Sequence, residues 1–205
     1  MYFFLLSYSI LGAGIKFIDA AYDEKTFSKK LALLLAPFLG GLWAYTMFIS
    51  PFSATILLSI LLGVILKGKI DNIAHFSGVI IIIPIILILG IELLIIPLLF
   101  LAAAALLDEL GNDCVEDSYD KITRNPLARF FVYFFDHRWL LKIAVLFLSV
   151  IGMIPIHFFF AMIFFDYSYL TVRYFSEVKQ GKRPGYDRLE LKVKSILAQK
   201  KILKE

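Results

Sequence analysis

The stretch that decides the fold is residues 2–24, "YFFLLSYSILGAGIKFIDAAYDE", in which an uncharged, mostly apolar run meets four charged residues within nine positions. A helix needs about 20 apolar residues to cross the hydrocarbon of a bilayer, so this run predicts a transmembrane helix that ends in a charged segment. No basic residue precedes the run, which disfavours a cleaved signal peptide. The whole chain is 60% hydrophobic with a mean hydropathy of +0.82, values typical of a polytopic, all-α membrane protein.

The other apolar runs divide at turn-forming residues into further helices. Ser50-Pro51 separates two of them, since a helix stops before proline. Residues 79–107 are too long for one span and divide at Gly90, and residues 139–173 divide at 152–155. The prediction is one helix followed by three tight hairpins, with spans near residues 2–18, 31–50, 53–66, 79–90, 92–107, 139–152 and 156–173. Residues 1–175 form this bundle, and residues 176–205 form a basic amphipathic tail.

The distribution of charge orients these seven predicted spans. If the N-terminus is outside, all 21 Lys and Arg residues fall in or beside the loops of one side. The positive-inside rule makes that side cytoplasmic, together with the C-terminus. The predicted location is therefore integral to a membrane, with the plasma membrane of a prokaryote as the expected one. The single cysteine, Cys114, excludes an internal disulfide and a Cys-rich metal site.

Acidic residues gather on the same side in pairs with helical spacing. Asp19 and Asp23 are four residues apart and share one helix face, and so do Asp113 and Asp117. Carboxylate pairs that converge from separate helices suit Mg²⁺, which takes hard oxygen ligands and bridges to substrate phosphates. The predicted metal ligands are Asp19, Asp23, Asp113, Glu116, Asp117 and Asp120. The predicted catalytic residues are Asp19, Asp23, Asp71 and His75, and the predicted phosphate-binding residues are Lys67, Lys69, Arg124 and Arg138.

Simpler interpretations exist for each of these groups. Asp19 and Asp23 can neutralise Lys16 and Lys25 at the membrane interface, because Lys16 and Asp19 are three residues apart on a helix. Asp71 can cap the helix that starts next to it, and the residues from 113 to 120 can form a solvated acidic loop. A metal site needs Asp19 and Asp23 to lie within reach of Asp113 and Asp117.

Two acidic segments resemble motifs of the UbiA-type intramembrane polyprenyl transferases. The segment "NDCVEDSYD" matches one motif at Asn112, Asp113, Glu116 and Asp120, with Glu in place of one Asp, and "DAAYD" matches the other at Asp19 and Asp23. The two motifs stand in the opposite order along this chain. The resemblance implies that these residues hold Mg²⁺ and a prenyl diphosphate on the cytoplasmic side.

Three classes of function are compatible with these observations. The first is a Mg²⁺-dependent membrane enzyme, such as a transferase, that acts on a prenyl-diphosphate or lipid-phosphate substrate. The second is a transporter or cation channel in which the acids form an ion site, and the third is a structural or assembly subunit of a membrane complex. No nucleic-acid partner is expected, since basic charge on an inner-leaflet face is what membrane lipids alone require.

Overall fold

A computed structural model describes residues 1–68, 72–117, 130–131, 133–135 and 137–181, without the side chains of residues 87, 89, 112, 113 and 115–117. Seven helices are delimited within these residues, and no strand is present among them. The all-α prediction is therefore confirmed. The helices are α1 (Tyr2–Tyr22), α2 (Lys29–Phe48), α3 (Pro51–Leu66), α4 (Ile73–Leu89), α5 (Ile95–Asp117), α6 (Trp139–Val150) and α7 (His157–Lys179).

Local sequence signals set the ends of several helices. Asn72 caps α4, and its side chain accepts a hydrogen bond from the backbone N–H of His75 at 2.9 Å. Ser50 caps α3 in the same way, with Pro51 in the first turn, where its missing N–H costs nothing. At its other end α4 stops at Gly90, which has a φ of 60° that glycine adopts without a steric penalty. The predicted break within residues 79–107 is therefore present.

The packing of the helices differs from the predicted hairpins. Contacts run from α1 through α2, α3, α5, α6 and α7 and back to α1, while α4 packs against α2. The consecutive helices α4 and α5 are not each other's main neighbours, because α5 packs against α3. The Leu94 N–H donates to Thr55 Oγ1 at 3.1 Å, which ties the start of α5 to α3. The prediction that α4 and α5 form a tight hairpin is wrong.

Small residues lie at the closest helix contacts. A Cβ atom added to Gly12 of α1 would overlap the backbone oxygen of Phe165 in α7. One added to Gly40 of α2 would lie 2.7 Å from the backbone oxygen of Gly78 in α4. Small residues let helix backbones approach closely in membrane bundles, where van der Waals contact drives association. These contacts fix α1 against α7 and α2 against α4.

Large apolar side chains remain exposed around the bundle, among them Ile88 at 80% and Ile96 at 73%. An extensive apolar surface is typical of a protein that faces lipid. Within the part of the chain that the structure describes, α1 and α2 are long and apolar enough to cross a membrane, and α3, residues 73–86 and α6 are apolar but shorter. The 12 residues of α6 extend about 18 Å, less than the hydrocarbon thickness of about 30 Å. Membrane association is thus indicated by two helices.

Candidate functional site

A cavity of about 580 Å³ opens within the bundle, between residues of α1 to α5 and α7 and the residues just before α6. Its charged lining comes from the end of the bundle that holds the C-terminal part of α1 and the first turns of α4 and α6, here called the charged end. The acidic and basic residues there are Lys16, Asp19, Asp23, Glu24, His75, Asp108, Glu109, His137, Arg138, Asp166 and Arg173. Deeper in the bundle the wall is apolar and includes Leu11, Leu39, Trp43, Ile60 and Ile82. The cavity is therefore amphipathic.

Asp19 connects three helices at the charged end. Its Oδ1 lies 2.6 Å from Nε2 of His75 in α4, and the hydroxyl of Tyr169 in α7 donates to its Oδ2 at 3.3 Å. Asp19 and His75 come from sequence segments that are 56 residues apart, and both are among the predicted catalytic residues. A carboxylate that holds an imidazole in this way orients the ring and supports proton transfer by it.

Lys16 pairs with Glu24 rather than with Asp19. Lys16 is 4% exposed, and its ammonium forms an ion pair with Oε1 of Glu24. The other oxygen of Glu24 accepts hydrogen bonds from the hydroxyl of Ser176 and from Nε2 of Gln180, the latter at 3.3 Å. The alternative in which Lys16 neutralises Asp19 is therefore not supported by the ion pairs of the described residues. The chain curls back after Tyr22, which brings Glu24 to Lys16.

Arg138 and two acids of α5 also line the charged end. Arg138 Nη2 lies 2.8 Å from Oε1 of Glu109, and its guanidinium carbon is 5.7 Å from the centre of the Tyr169 ring. Asp108 caps α6, accepting from the backbone N–H groups of Leu140 at 3.1 Å and Leu141 at 2.7 Å. This carboxylate comes one residue after the predicted span 92–107. Burial raises its pKa to about 6, although the two backbone hydrogen bonds and Arg138 lower it.

A further ion pair links the last two helices. Lys142 of α6 is 5% exposed and contacts Oδ2 of Asp166 in α7. Its ammonium also lies 4.4 Å from the centre of the Trp139 ring, a cation–π contact. Buried charges are found in proteins when they are paired, and each partner here is less than a fifth exposed. The charged end is thus held by ion pairs between different helices.

Some of the predicted site residues line the cavity and others do not, or are not described. Asp19, Asp23, His75 and Arg138 line the cavity. Lys67 ends α3 and is not among the lining residues, so its predicted place in the site is not supported. The remaining predicted residues lie outside the described residues or have side chains that are not described: Lys69, Asp71, Asp113, Glu116, Asp117, Asp120 and Arg124.

The described residues contain no group of three or more His, Cys, Asp or Glu side chains placed to share a metal ion. Asp19 and Asp23 offer the oxygen ligands that Mg²⁺ prefers, and Mg²⁺ is commonly held by one or two carboxylates together with water and substrate phosphates. The donor set in the described residues therefore fits a Mg²⁺ ion that a phosphate helps to hold.

Three residues of α7 line the cavity but are absent from the predicted site. Asp166, Tyr169 and Arg173 are spaced by three and four residues, so they share one face of a helix. That spacing is a signal in the sequence, but all three residues fall inside the predicted span 156–173, where hydropathy outweighs a polar face. Tyr169 matters most, because its hydroxyl contacts Asp19 and its ring lies 5.7 Å from the Lys16 ammonium.

Comparison of the chain with protein-family models, curated proteins and solved structures finds no match in any of the three. The resemblance to the UbiA-type transferases therefore stays a prediction.

Proposed function

We propose that the protein is an integral membrane enzyme that binds a prenyl-diphosphate or lipid-phosphate substrate in the central cavity and acts on it with the help of Mg²⁺. The observation that carries this proposal is the division of the cavity into a charged end and an apolar depth. A volume of about 580 Å³ lies within the range of small-molecule sites, about 300 to 1,000 Å³. The apolar wall suits the hydrocarbon of a lipid and the charged end suits its head group.

The balance of charge supports a role for a cation. Among the described lining residues there are six carboxylates and three Lys or Arg side chains. A phosphate entering such a surrounding adds negative charge, which a divalent cation offsets. Asp19 and Asp23 are the residues that would hold Mg²⁺. When bound, the ion would stabilise negative charge on the phosphate oxygens.

The other groups at the charged end have separate roles in the proposal. Lys16 and Arg138 stabilise the phosphate head electrostatically, at a site shielded from bulk water. His75, oriented by Asp19, moves a proton to or from the reacting group. Tyr169 is a positioning residue that holds Asp19 in place.

The orientation in the membrane follows from the same charges. We propose seven membrane-inserted helices, an outside N-terminus and a cytoplasmic charged end in the plasma membrane of a prokaryote. The sidedness of Lys and Arg supports this arrangement. The short α6 requires local thinning of the bilayer or burial by its neighbours. Cysteine labelling from outside at Ser50 and Glu92, with protection at Lys179, tests it, and outside labelling at Lys179 would overturn it.

Binding to the purified chain in detergent tests the function. Radiolabelled geranylgeranyl diphosphate and phosphatidic acid are each measured with Mg²⁺ and with a chelator, and release of phosphate or diphosphate is followed over time. Asp19→Asn and Asp23→Asn are expected to weaken Mg²⁺-dependent binding at least about tenfold, because each removes a charged ligand. Glu92→Gln, an exposed acid at the opposite end of the bundle, is the matched control. Binding of neither lipid, or binding indifferent to Mg²⁺ and to Asp19→Asn, would contradict the proposal.

A transporter is less well supported by the same cavity. Its charged lining residues all lie toward one end among the described residues, and the deep lining is apolar. A pathway for a charged solute would need polar groups at the depth of Leu11 and Ile82.

A further inference from the structure

Trp43 stands apart from the other polar side chains of the cavity. It lines the apolar depth, is 6% exposed, and belongs to the main apolar core. Its Nε1 is the one buried side-chain nitrogen or oxygen without a hydrogen-bond partner within the residues that the structure describes. Indole is a donor only, and a buried indole N–H usually has an acceptor. Leaving such a donor unsatisfied is energetically unfavourable, because the desolvated N–H gains no partner in exchange for water.

The depth of Trp43 below the charged end follows from its position along α2. The contact of Gly40 with Gly78 sets α2 and α4 in register. Trp43 lies three residues beyond Gly40, away from the charged end, and His75 lies three residues before Gly78, toward it. At a rise of 1.5 Å per residue, the backbones at Trp43 and His75 differ in depth by about 9 Å. Helical side chains lean toward the N-terminus, so the indole of Trp43 leans back toward the charged end.

An acceptor at this depth distinguishes between the two substrate classes of the proposed function. The tail of a prenyl phosphate or diphosphate is pure hydrocarbon and offers the indole no acceptor. A phosphate-bearing glycerolipid carries oxygen atoms on its glycerol backbone a few bonds below the phosphate. A water molecule is a poorer partner, because a buried water needs two to four polar groups and the neighbouring lining residues are apolar.

We infer that the cavity takes a glycerolipid phosphate, with its phosphate at the charged end and a backbone oxygen accepting the Nε1–H of Trp43. This inference rests on the proposed function and selects the glycerolipid from the two substrate classes. Trp43 is then a specificity residue that separates oxygen-bearing lipids from prenyl lipids with the same head group.

The experiment compares two phosphate monoesters, dioleoyl phosphatidic acid and geranylgeranyl phosphate, as radiolabelled probes for the full chain in detergent with Mg²⁺. Trp43→Phe keeps an aromatic ring and removes the N–H. It is expected to lower the affinity for phosphatidic acid about 3- to 10-fold, the equivalent of one hydrogen bond, and to leave that for geranylgeranyl phosphate within about twofold. Trp139→Phe is the matched control, since Trp139 stacks with Lys142 outside the cavity lining.

A second measurement covers the case in which Trp43→Phe does not fold. Trp43 and Trp139 are the two tryptophans of the chain, so Trp139→Phe leaves Trp43 as the single fluorophore. Its emission is expected to shift to longer wavelength with phosphatidic acid, because the indole gains an acceptor, and not with geranylgeranyl phosphate. Equal effects on both probes, or binding of geranylgeranyl phosphate alone, would overturn the inference and leave the proposed function standing. Binding of neither probe would overturn the inference, and binding of geranylgeranyl diphosphate would then decide whether the proposed function stands.

Discussion

The charged end of the bundle and the layer just below it are held together by different contacts. At the charged end, helices meet through long side chains, as Asp19 does with His75 and Lys142 does with Asp166. About one turn deeper they meet backbone to backbone, as at Gly12 and Phe165. The paired side chains bring charged groups to the cavity wall, whereas a glycine lets two helix backbones come into contact. Both kinds of contact border the cavity, since Gly40 and Gly78 line it as well as Asp19 and His75.

The largest effect is expected from filling the closest helix contact. Gly12→Leu places a side chain where the backbone oxygen of Phe165 lies, a position that neither helix can vacate without separating. The cost is expected to exceed about 3 kcal/mol and to abolish the folded, monodisperse protein on size-exclusion chromatography. Gly41→Leu is the control, because nothing lies within 4 Å of a Cβ there. Similar behaviour of the two variants would show that the contact is not structural.

Breaking an ion pair at the charged end is expected to cost slightly less. Lys142→Met leaves the carboxylate of Asp166, which is 15% exposed, without its partner. Removal of one member of a buried pair typically costs about 3 kcal/mol, because the remaining charge stays desolvated. The midpoint of thermal unfolding in detergent measures the loss. The double variant with Asp166→Leu should recover most of it, and a double variant no more stable than Lys142→Met would contradict this account.

A smaller effect is expected from the hydroxyl that positions Asp19. Tyr169→Phe removes the 3.3 Å hydrogen bond and keeps the ring against Lys16 and Arg138. The expected loss of stability is about 1 kcal/mol, with a clear fall in Mg²⁺-dependent lipid binding because Asp19 is less well oriented. Tyr167→Phe, which changes an exposed residue of the same helix, should alter neither quantity.

The smallest effect on lipid-phosphate affinity is expected at Lys67, where the sequence prediction and the structure disagree. Lys67 is a predicted phosphate-binding residue but lies outside the cavity lining, whereas Arg138 is within it. Lys67→Gln is therefore expected to change lipid-phosphate affinity by less than about twofold, and Arg138→Gln by about tenfold or more. Titration of phosphatidic acid into each variant measures both. An equal loss of affinity in the two variants would show that Lys67 also binds the phosphate.

Much of the fold could be predicted because it depends on local properties of the chain. Apolar length and turn residues place the helices, and proline at 51 and glycine at 90 divide the long runs. Part of the site followed from spacing as well, since Asp19 and Asp23 on one helix face and His75 at the start of α4 all line the cavity. Trp43 could not be found this way, because it lies in an apolar run where it resembles an ordinary membrane aromatic, whereas Tyr169 shares a helix face with Asp166 and Arg173.

Which helices become neighbours was decided by the tertiary structure alone. The sequence determined an all-helical chain with apolar runs that indicate membrane association, because hydropathy acts residue by residue. It did not determine that α4 packs on α2 and α5 on α3, since those pairings depend on whether two small residues at distant positions meet at one level. The same holds for His75 with Asp19 and for Glu24 with Lys16, in which a carboxylate's partner is set by the packing of backbones and not by the spacing of residues along the chain.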